Sequence, residues 1–85
     1  MSEKLTVLAQ NSGLEYEALK AFVDNTTDRL IFDATKLTDL FAPLELGWKE
    51  RVKRELELMK ELIPILKENA NGREISGLKI YEKYM

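Results

Sequence analysis

The stretch that decides the fold is WKERVKRELELMKELIPILKEN, residues 48–69. Apolar residues recur in it at spacings of three and four, which is the period of one face of an α-helix. The main stripe consists of Trp48, Val52, Leu56, Met59, Ile63 and Leu66. A second stripe in the later half consists of Leu58, Leu62 and Ile65. The sequence therefore predicts one long helix near 48–69, covered by shorter helices on more than one side.

Pro64 lies inside this predicted helix. A proline in a helix interior removes one backbone hydrogen bond and clashes with the preceding turn. We therefore expect a kink or break there, with a bend near Leu62.

Shorter helices are predicted before and after the long one, because apolar spacing stays helical and no stretch alternates as a strand does. A first helix is expected to start at a Ser2 cap and to stop near Gly13, and a second to begin at Leu14. Asp33 is a suitable cap for a third helix, and Ser76 for a last one. The expected inward residues of the second helix are Leu14, Ala18, Leu19, Phe22, Val23, Thr26, Leu30 and Ile31. The predicted fold class is all-α, a small bundle of about five helices around one long, proline-kinked helix.

Composition limits both the size of the protein and its chemistry. The 85 residues suffice for a single domain, and 45% hydrophobic with 33% charged residues is typical of a packed globule. The chain has no cysteine and no histidine, so it offers no disulfide, thiolate, imidazole base or common zinc site. No apolar run reaches the roughly 18 residues that span a membrane, and the first residues do not resemble a signal peptide. We expect a cytoplasmic protein.

The remaining polar residues form no recognisable catalytic arrangement. The four glycines are isolated, so they make no phosphate-binding loop. Carboxylates spaced by two, such as Glu55 and Glu57, diverge on a helix, and we expect them to face solvent. The sequence predicts no catalytic residue, no cofactor and no metal, and therefore a protein that is not an enzyme and acts by binding.

One pattern favours an alternative function, a DNA-binding element at 5–23. Its spacing matches a helix-turn-helix, through the residues Leu8, Ala9, Gly13, Leu14, Leu19 and Phe22. The outward positions include Glu15, Glu17 and Asp24, which phosphate would repel. The other candidate contacts to nucleic acid are Lys49, Arg51, Lys53 and Arg54. Acidic neighbours dilute that cluster, which is more typical of a solvated helix face.

Aromatic residues are further candidates for a role in binding. Trp48, Tyr16, Tyr81 and Tyr84 can either anchor the core or contact a partner. The core is the favoured place for Trp48, whereas both places remain open for Tyr81 and Tyr84.

Several segments resemble the C-terminal region of type I restriction enzyme R subunits. They are GLEYEALKAFVDNTTDRLIFD at 13–33, LFAPLELGW at 40–48, ELELMKELIPIL at 55–66 and GREISGL at 72–78. The resemblance covers nearly the whole chain. It implies a parent protein with a nuclease, two ATP-driven motor lobes and a C-terminal helical domain. This chain is similar only to that last part, so we expect residues 1–85 to be a single helical domain from the C-terminal end of a larger multidomain protein.

The resemblance also implies a function and partners. In that family the helical domain is thought to dock the R subunit onto the methyltransferase core. The implied partners are the modification and specificity subunits and the rest of the R subunit itself, with DNA reached only through the complex and no membrane. The candidate contact residues are Arg73, Glu74, Ile75, Leu78, Tyr81 and Tyr84. The same segment can instead be a tight turn that closes the fold, and the whole domain can instead serve only to stabilise the motor.

Overall fold

A computed structural model of the chain describes residues 3–83. Its helices are α1 (Glu3–Ser12), α2 (Tyr16–Arg29), α3 (Ala34–Phe41), α4 (Trp48–Asn69) and α5 (Lys79–Glu82). A single 3₁₀ turn, Ala42–Leu44, follows α3. The long helix has the bounds that the apolar spacing predicts. Its 22 residues make it about 33 Å long at 1.5 Å per residue, close to the 34 Å longest dimension of the molecule.

All the other helices pack against α4. In addition, α1 packs against α2, and α2 against α3. The core lies along the later half of α4, where Leu58, Met59, Leu62 and Leu66 are almost fully buried. The all-α prediction, with shorter helices around one long helix, is confirmed.

The first half of α4 differs from the prediction. Trp48 is 67% exposed and Val52 is 38% exposed, whereas Glu55 is buried. Leu56 is only half-buried. The expected burial of Trp48 and the expected exposure of Glu55 are therefore both wrong. The stripe is one face of a helix, as predicted, but only its later part is covered. The helices α1, α2 and α3 have only 10, 14 and 8 residues. The buried part of α4 begins at Glu55.

Pro64 does not break α4. The helix continues through Pro64 to Asn69, and Pro64 itself is exposed to solvent. Because proline has no N–H, the hydrogen bond to the carbonyl of Lys60 cannot form. The expected break is wrong, while the bend near Leu62 stays a prediction.

The turn between α1 and α2 is longer than expected. Leu14 does not begin α2. Its N–H instead donates to the carbonyl of Ala9 at 3.0 Å, at the C-terminal end of α1. Helix α2 then starts at Tyr16 and runs without a break to Arg29. The buried Thr27 hydroxyl is satisfied within the helix, because it donates to the carbonyl of Val23 at 2.9 Å. The expected Ser2 cap of α1 lies outside the described residues.

Two residues expected on the inward face of α2 are exposed, Ala18 and Ile31. The buried face runs through Leu19, Phe22, Val23, Thr26 and Thr27, which leaves Ala18 beside it. Ile31 lies beyond the helix, since Leu30 adopts a left-handed conformation with φ of 58° and ends α2.

The chain is closed by a short parallel pairing between residues 30–32 and Ser76. The Phe32 N–H donates to the Ser76 carbonyl at 2.8 Å, and the Ser76 N–H donates to the Leu30 carbonyl at 2.8 Å. Ser76 is therefore not the cap of the last helix, whose first flanking residue is Leu78. Asp33, by contrast, caps α3 as predicted, accepting from the Thr35 N–H at 2.9 Å.

Replacing Met59 by alanine is expected to lower the free energy of unfolding by about 2 to 5 kcal/mol, because its fully buried side chain would leave a cavity. The matched change Val52→Ala, on the same stripe but exposed, is expected to cost less than about 1 kcal/mol. Urea unfolding followed by circular dichroism measures both. Equal losses at the two positions would show that the first half of α4 is covered.

Gly77→Ala is expected to destabilise the fold more than Gly72→Ala. Both glycines have a positive φ, 87° and 84°, which penalises any side chain. Only at Gly77 would the added Cβ also lie 3.1 Å from the carbonyl oxygen of Phe32, next to the closing pairing. Urea unfolding of both variants separates the steric effect, which only Gly77→Ala has, from the backbone strain that both variants share. Equal losses of the free energy of unfolding would contradict the close approach of the added Cβ to Phe32.

Candidate functional site

The segment 72–78 is held to the core by its own apolar residues. Ile75 and Leu78 are each only 3% exposed. Arg73 and Glu74 are exposed, and the Arg73 guanidinium donates from Nε to the carbonyl of Ala70 at 2.9 Å. The structure thus separates the expected contact residues into a buried pair that closes the fold and a polar pair that faces solvent.

Tyr81 is half-buried and packs on the aromatic core. Its ring centre lies 5.0 Å from that of Phe32 in an edge-to-face arrangement, and Phe32 in turn lies 5.9 Å from Phe22. Edge-to-face pairs of this kind stabilise a core beyond their burial alone. Tyr81 is therefore an anchor for α5, with part of its ring left accessible. Tyr84, the remaining candidate at this end, lies outside the described residues.

Charged side chains surround a depression of about 280 Å³ beside this segment. Lys67 of α4 forms an ion pair with Glu82 of α5, and Lys79 pairs with Glu74 at 3.4 Å. These charges therefore have opposite charges nearby within the chain. Exposed pairs of this kind contribute little stability, and a partner that binds here has to displace or extend them.

The four basic residues at the start of α4 do not act as one cluster. Arg54 donates from Nε to Glu50 at 3.0 Å, and Arg51 lies 3.3 Å from Glu55. The Arg51–Glu55 contact is an ion pair without a hydrogen bond between those buried atoms. Lys49 and Lys53 are exposed and form no ion pair with the residues 3–83. The positive charge offered to a ligand is thus that of two lysines, not of all four residues.

The helix-turn-helix spacing corresponds to a real packing unit of α1 and α2. Its outward side carries the exposed carboxylates Glu15 and Glu17, and Lys20 is paired with Asp24 at 2.8 Å. Tyr16 is half-buried. Among the residues that the structure describes near this turn, the one cation, Lys20, is paired, which is a poor match to what DNA recognition needs.

Several large apolar side chains are exposed, and of these only Trp48 is a possible contact to a partner on the sequence alone. The large ones among the described residues are Val7, Ile31, Trp48, Val52 and Ile80. The ammonium group of Lys49 lies over the ring of Trp48, with Nζ 5.7 Å from the ring centre. The signal available in the sequence is the length of α4, about 33 Å, which exceeds that of each helix packed against it.

A groove of about 600 Å³ runs between α1 and the later half of α4. Its floor includes Val7, Leu8, Pro64 and Ile65, and its rim carries Glu3, Lys4, Glu61 and Glu68. The carboxylates along it do not converge: among the described residues there is no group of three or more acidic side chains placed to hold a metal ion. Nor is any described helix long and apolar enough to cross a membrane.

Fold and surface together define a small helical domain with apolar side chains exposed on rigid helices. Residues 1–69 match the family model described as "Type I restriction and modification enzyme - subunit R C terminal". The chain belongs to this family, the C-terminal domain of the R subunit of type I restriction enzymes. No curated protein and no solved structure matches the chain significantly.

The phenol of Tyr81 provides a test of how the last helix is seated. Burial raises its pKa above the usual 10.0, and the negative charge of Glu55 raises it further. We expect Glu55→Gln to lower the pKa of Tyr81 while leaving it above 10.0, because burial is the larger cause. Ionisation of labelled tyrosine, followed by NMR as a function of pH, measures this.

Because the pKa of Tyr81 is raised in the folded state, its contribution to stability is complete below pH 10 and is lost as the pH rises through the folded value. The exposed variant Glu57→Gln serves as the control. An equal effect of both variants on the pKa of Tyr81 would show that Glu55 is not its specific neighbour.

Proposed function

We propose that this chain is a non-catalytic docking domain, which anchors the nuclease and motor parts of a type I restriction R subunit to the methyltransferase core. The core is formed by the modification and specificity subunits. Membership of the R-subunit family supports the choice of complex, since a restriction subunit works together with other subunits.

The observation that carries the docking role is the exposure of large apolar side chains on well-packed helices. Trp48 and Ile80 are both more than half exposed, although the core beside them is almost fully buried. Tryptophan is enriched among the anchor residues of protein interfaces, and an exposed tryptophan on a packed helix is therefore a candidate anchor. Charged residues at such a surface add specificity more than affinity, because like charges brought together disfavour a wrong partner.

The distribution of charge supports a protein partner over DNA. The whole chain has a net charge of −2. Two of the four basic residues at the start of α4 are neutralised by carboxylates of the same helix. DNA binding depends on several Lys and Arg contacts to phosphates, and this surface offers few.

Titration calorimetry of the 85-residue chain with the assembled modification and specificity subunits tests the proposal. We expect saturable one-to-one binding per docking site at physiological salt, with a dissociation constant of about 1 μM or tighter, in the range of specific protein complexes. Short duplex DNA alone is the matched control ligand and is expected not to bind.

Binding to DNA alone, with an affinity that falls steeply as salt rises, would instead favour a nucleic-acid-binding role. No binding to either ligand would contradict docking. Deleting the domain from the full R subunit would then be expected to reduce solubility before it affects assembly, as for a part that only stabilises the motor.

A further inference from the structure

The first two turns of α4 carry an uncovered continuation of the core face. Trp48 and Val52 lie on the same stripe of the helix as the buried residues Met59, Ile63 and Leu66, since all are related by steps of three, four or seven residues. One helix face is thus buried by this chain along its later half and left open at its start. The uncovered part has the pattern of a surface that another molecule covers.

The residues beside this stripe have a distinct charge pattern. The two arginines of these turns are engaged by carboxylates of the same helix, Arg54 by Glu50 and Arg51 by Glu55. Lys49 and Lys53, one turn apart, have no such carboxylate within the described part of the chain. Both are exposed and adjoin Trp48 and Val52 in sequence. The result is an apolar stripe beside two lysines that form no ion pair within residues 3–83.

We propose that Trp48, Lys49, Val52 and Lys53, here called the Trp48 face, are the docking surface for the partner protein. The partner is inferred to present an apolar pocket that receives the indole of Trp48, with carboxylates beside it that pair with Lys49 and Lys53. The inference rests on the proposed docking function and specifies the face of the domain that performs it.

The chemistry of the face favours such a partner over other occupants. Two lysines are too few for a strong interaction with a phosphate backbone, and both arginines are already paired. A second copy meeting this face with its own Trp48 face would bring like-charged lysines together. A large exposed indole flanked by a β-branched residue and positive charges fits the centre and rim of a protein interface.

Trp48 is the single tryptophan of the chain, so it can report on its own surroundings. The 85-residue chain labelled with 5-fluorotryptophan gives one ¹⁹F resonance. We expect this resonance to shift or broaden on addition of the unlabelled modification and specificity subunits. Calorimetry on the same samples measures whether the chain binds at all.

Variants test the two parts of the face. Trp48→Ala is expected to weaken binding about tenfold or more, as removal of an interface anchor does. Val7→Ala removes a similarly exposed apolar side chain from α1 and is expected to leave the affinity unchanged.

The double variant Lys49→Glu and Lys53→Glu is expected to weaken binding and to remove most of its salt dependence. Lys60→Glu, about 10 Å further along the same helix, is the charge control. Circular dichroism verifies that each variant is folded.

The outcomes distinguish the two proposals. Binding with an unchanged ¹⁹F resonance, or with equal affinities for Trp48→Ala and Val7→Ala, overturns the Trp48 face while docking stands. Absence of binding to the subunits overturns docking and the Trp48 face together. A ¹⁹F shift that appears without the subunits as the chain is concentrated, together with a sedimentation coefficient that rises, overturns it in favour of self-association. A shift caused by duplex DNA alone overturns it in favour of a nucleic acid.

Discussion

The burial of one face of α4 is the constraint on which the rest of the structure depends. Helices of 8 to 14 residues, such as α1, α2 and α3, are marginal on their own in water. They become stable here by placing apolar side chains on Leu58, Leu62 and Leu66, which are almost fully buried. The long helix in turn needs them, because its later half is apolar on more than one side. Neither part of the structure is expected to persist without the other.

The unequal lengths of the helices divide α4 into two regions with different roles. The later half is covered and forms the core, while the first two turns extend the same apolar face into solvent. A single helix thereby holds the small domain together and carries exposed apolar side chains. Because α4 is one continuous helix, no loop intervenes between the core and the surface proposed to contact a partner. This suits a family of subunits that work in complexes.

Much of the fold could be predicted from residue spacing and capping. The bounds of α4 follow from its apolar period, and the Asp33 cap of α3 follows from the known preference of carboxylates for that position. What failed depended on three-dimensional context. The spacing of Trp48 and Val52 is the same whether or not another helix covers them. Glu55 is buried next to Arg51, and the spacing of two between Glu55 and Glu57 does not reveal which side of α4 the other helices cover.

The candidate site was predicted less well for the same reason. Ile75 and Leu78 have the composition of a contact surface, but they are buried because the backbone of Ser76 pairs with residues 30–32, an interaction that has no sequence signature. The family resemblance located the right class of protein, but its motifs are packing motifs and identify no contact residue.

The pairing of residues 30–32 with Ser76 also has a consequence for how the polypeptide matures during translation. The ribosome releases α1, α2 and α3 before the helix that covers them has been made, and Phe32 remains without its Tyr81 neighbour until residue 81 has emerged. The apolar faces of α1, α2 and α3 therefore stay in contact with water, or with chaperones, until α4 and Tyr81 have been made. The Phe32–Tyr81 contact of the core is therefore available only to a polypeptide that has been translated through Tyr81.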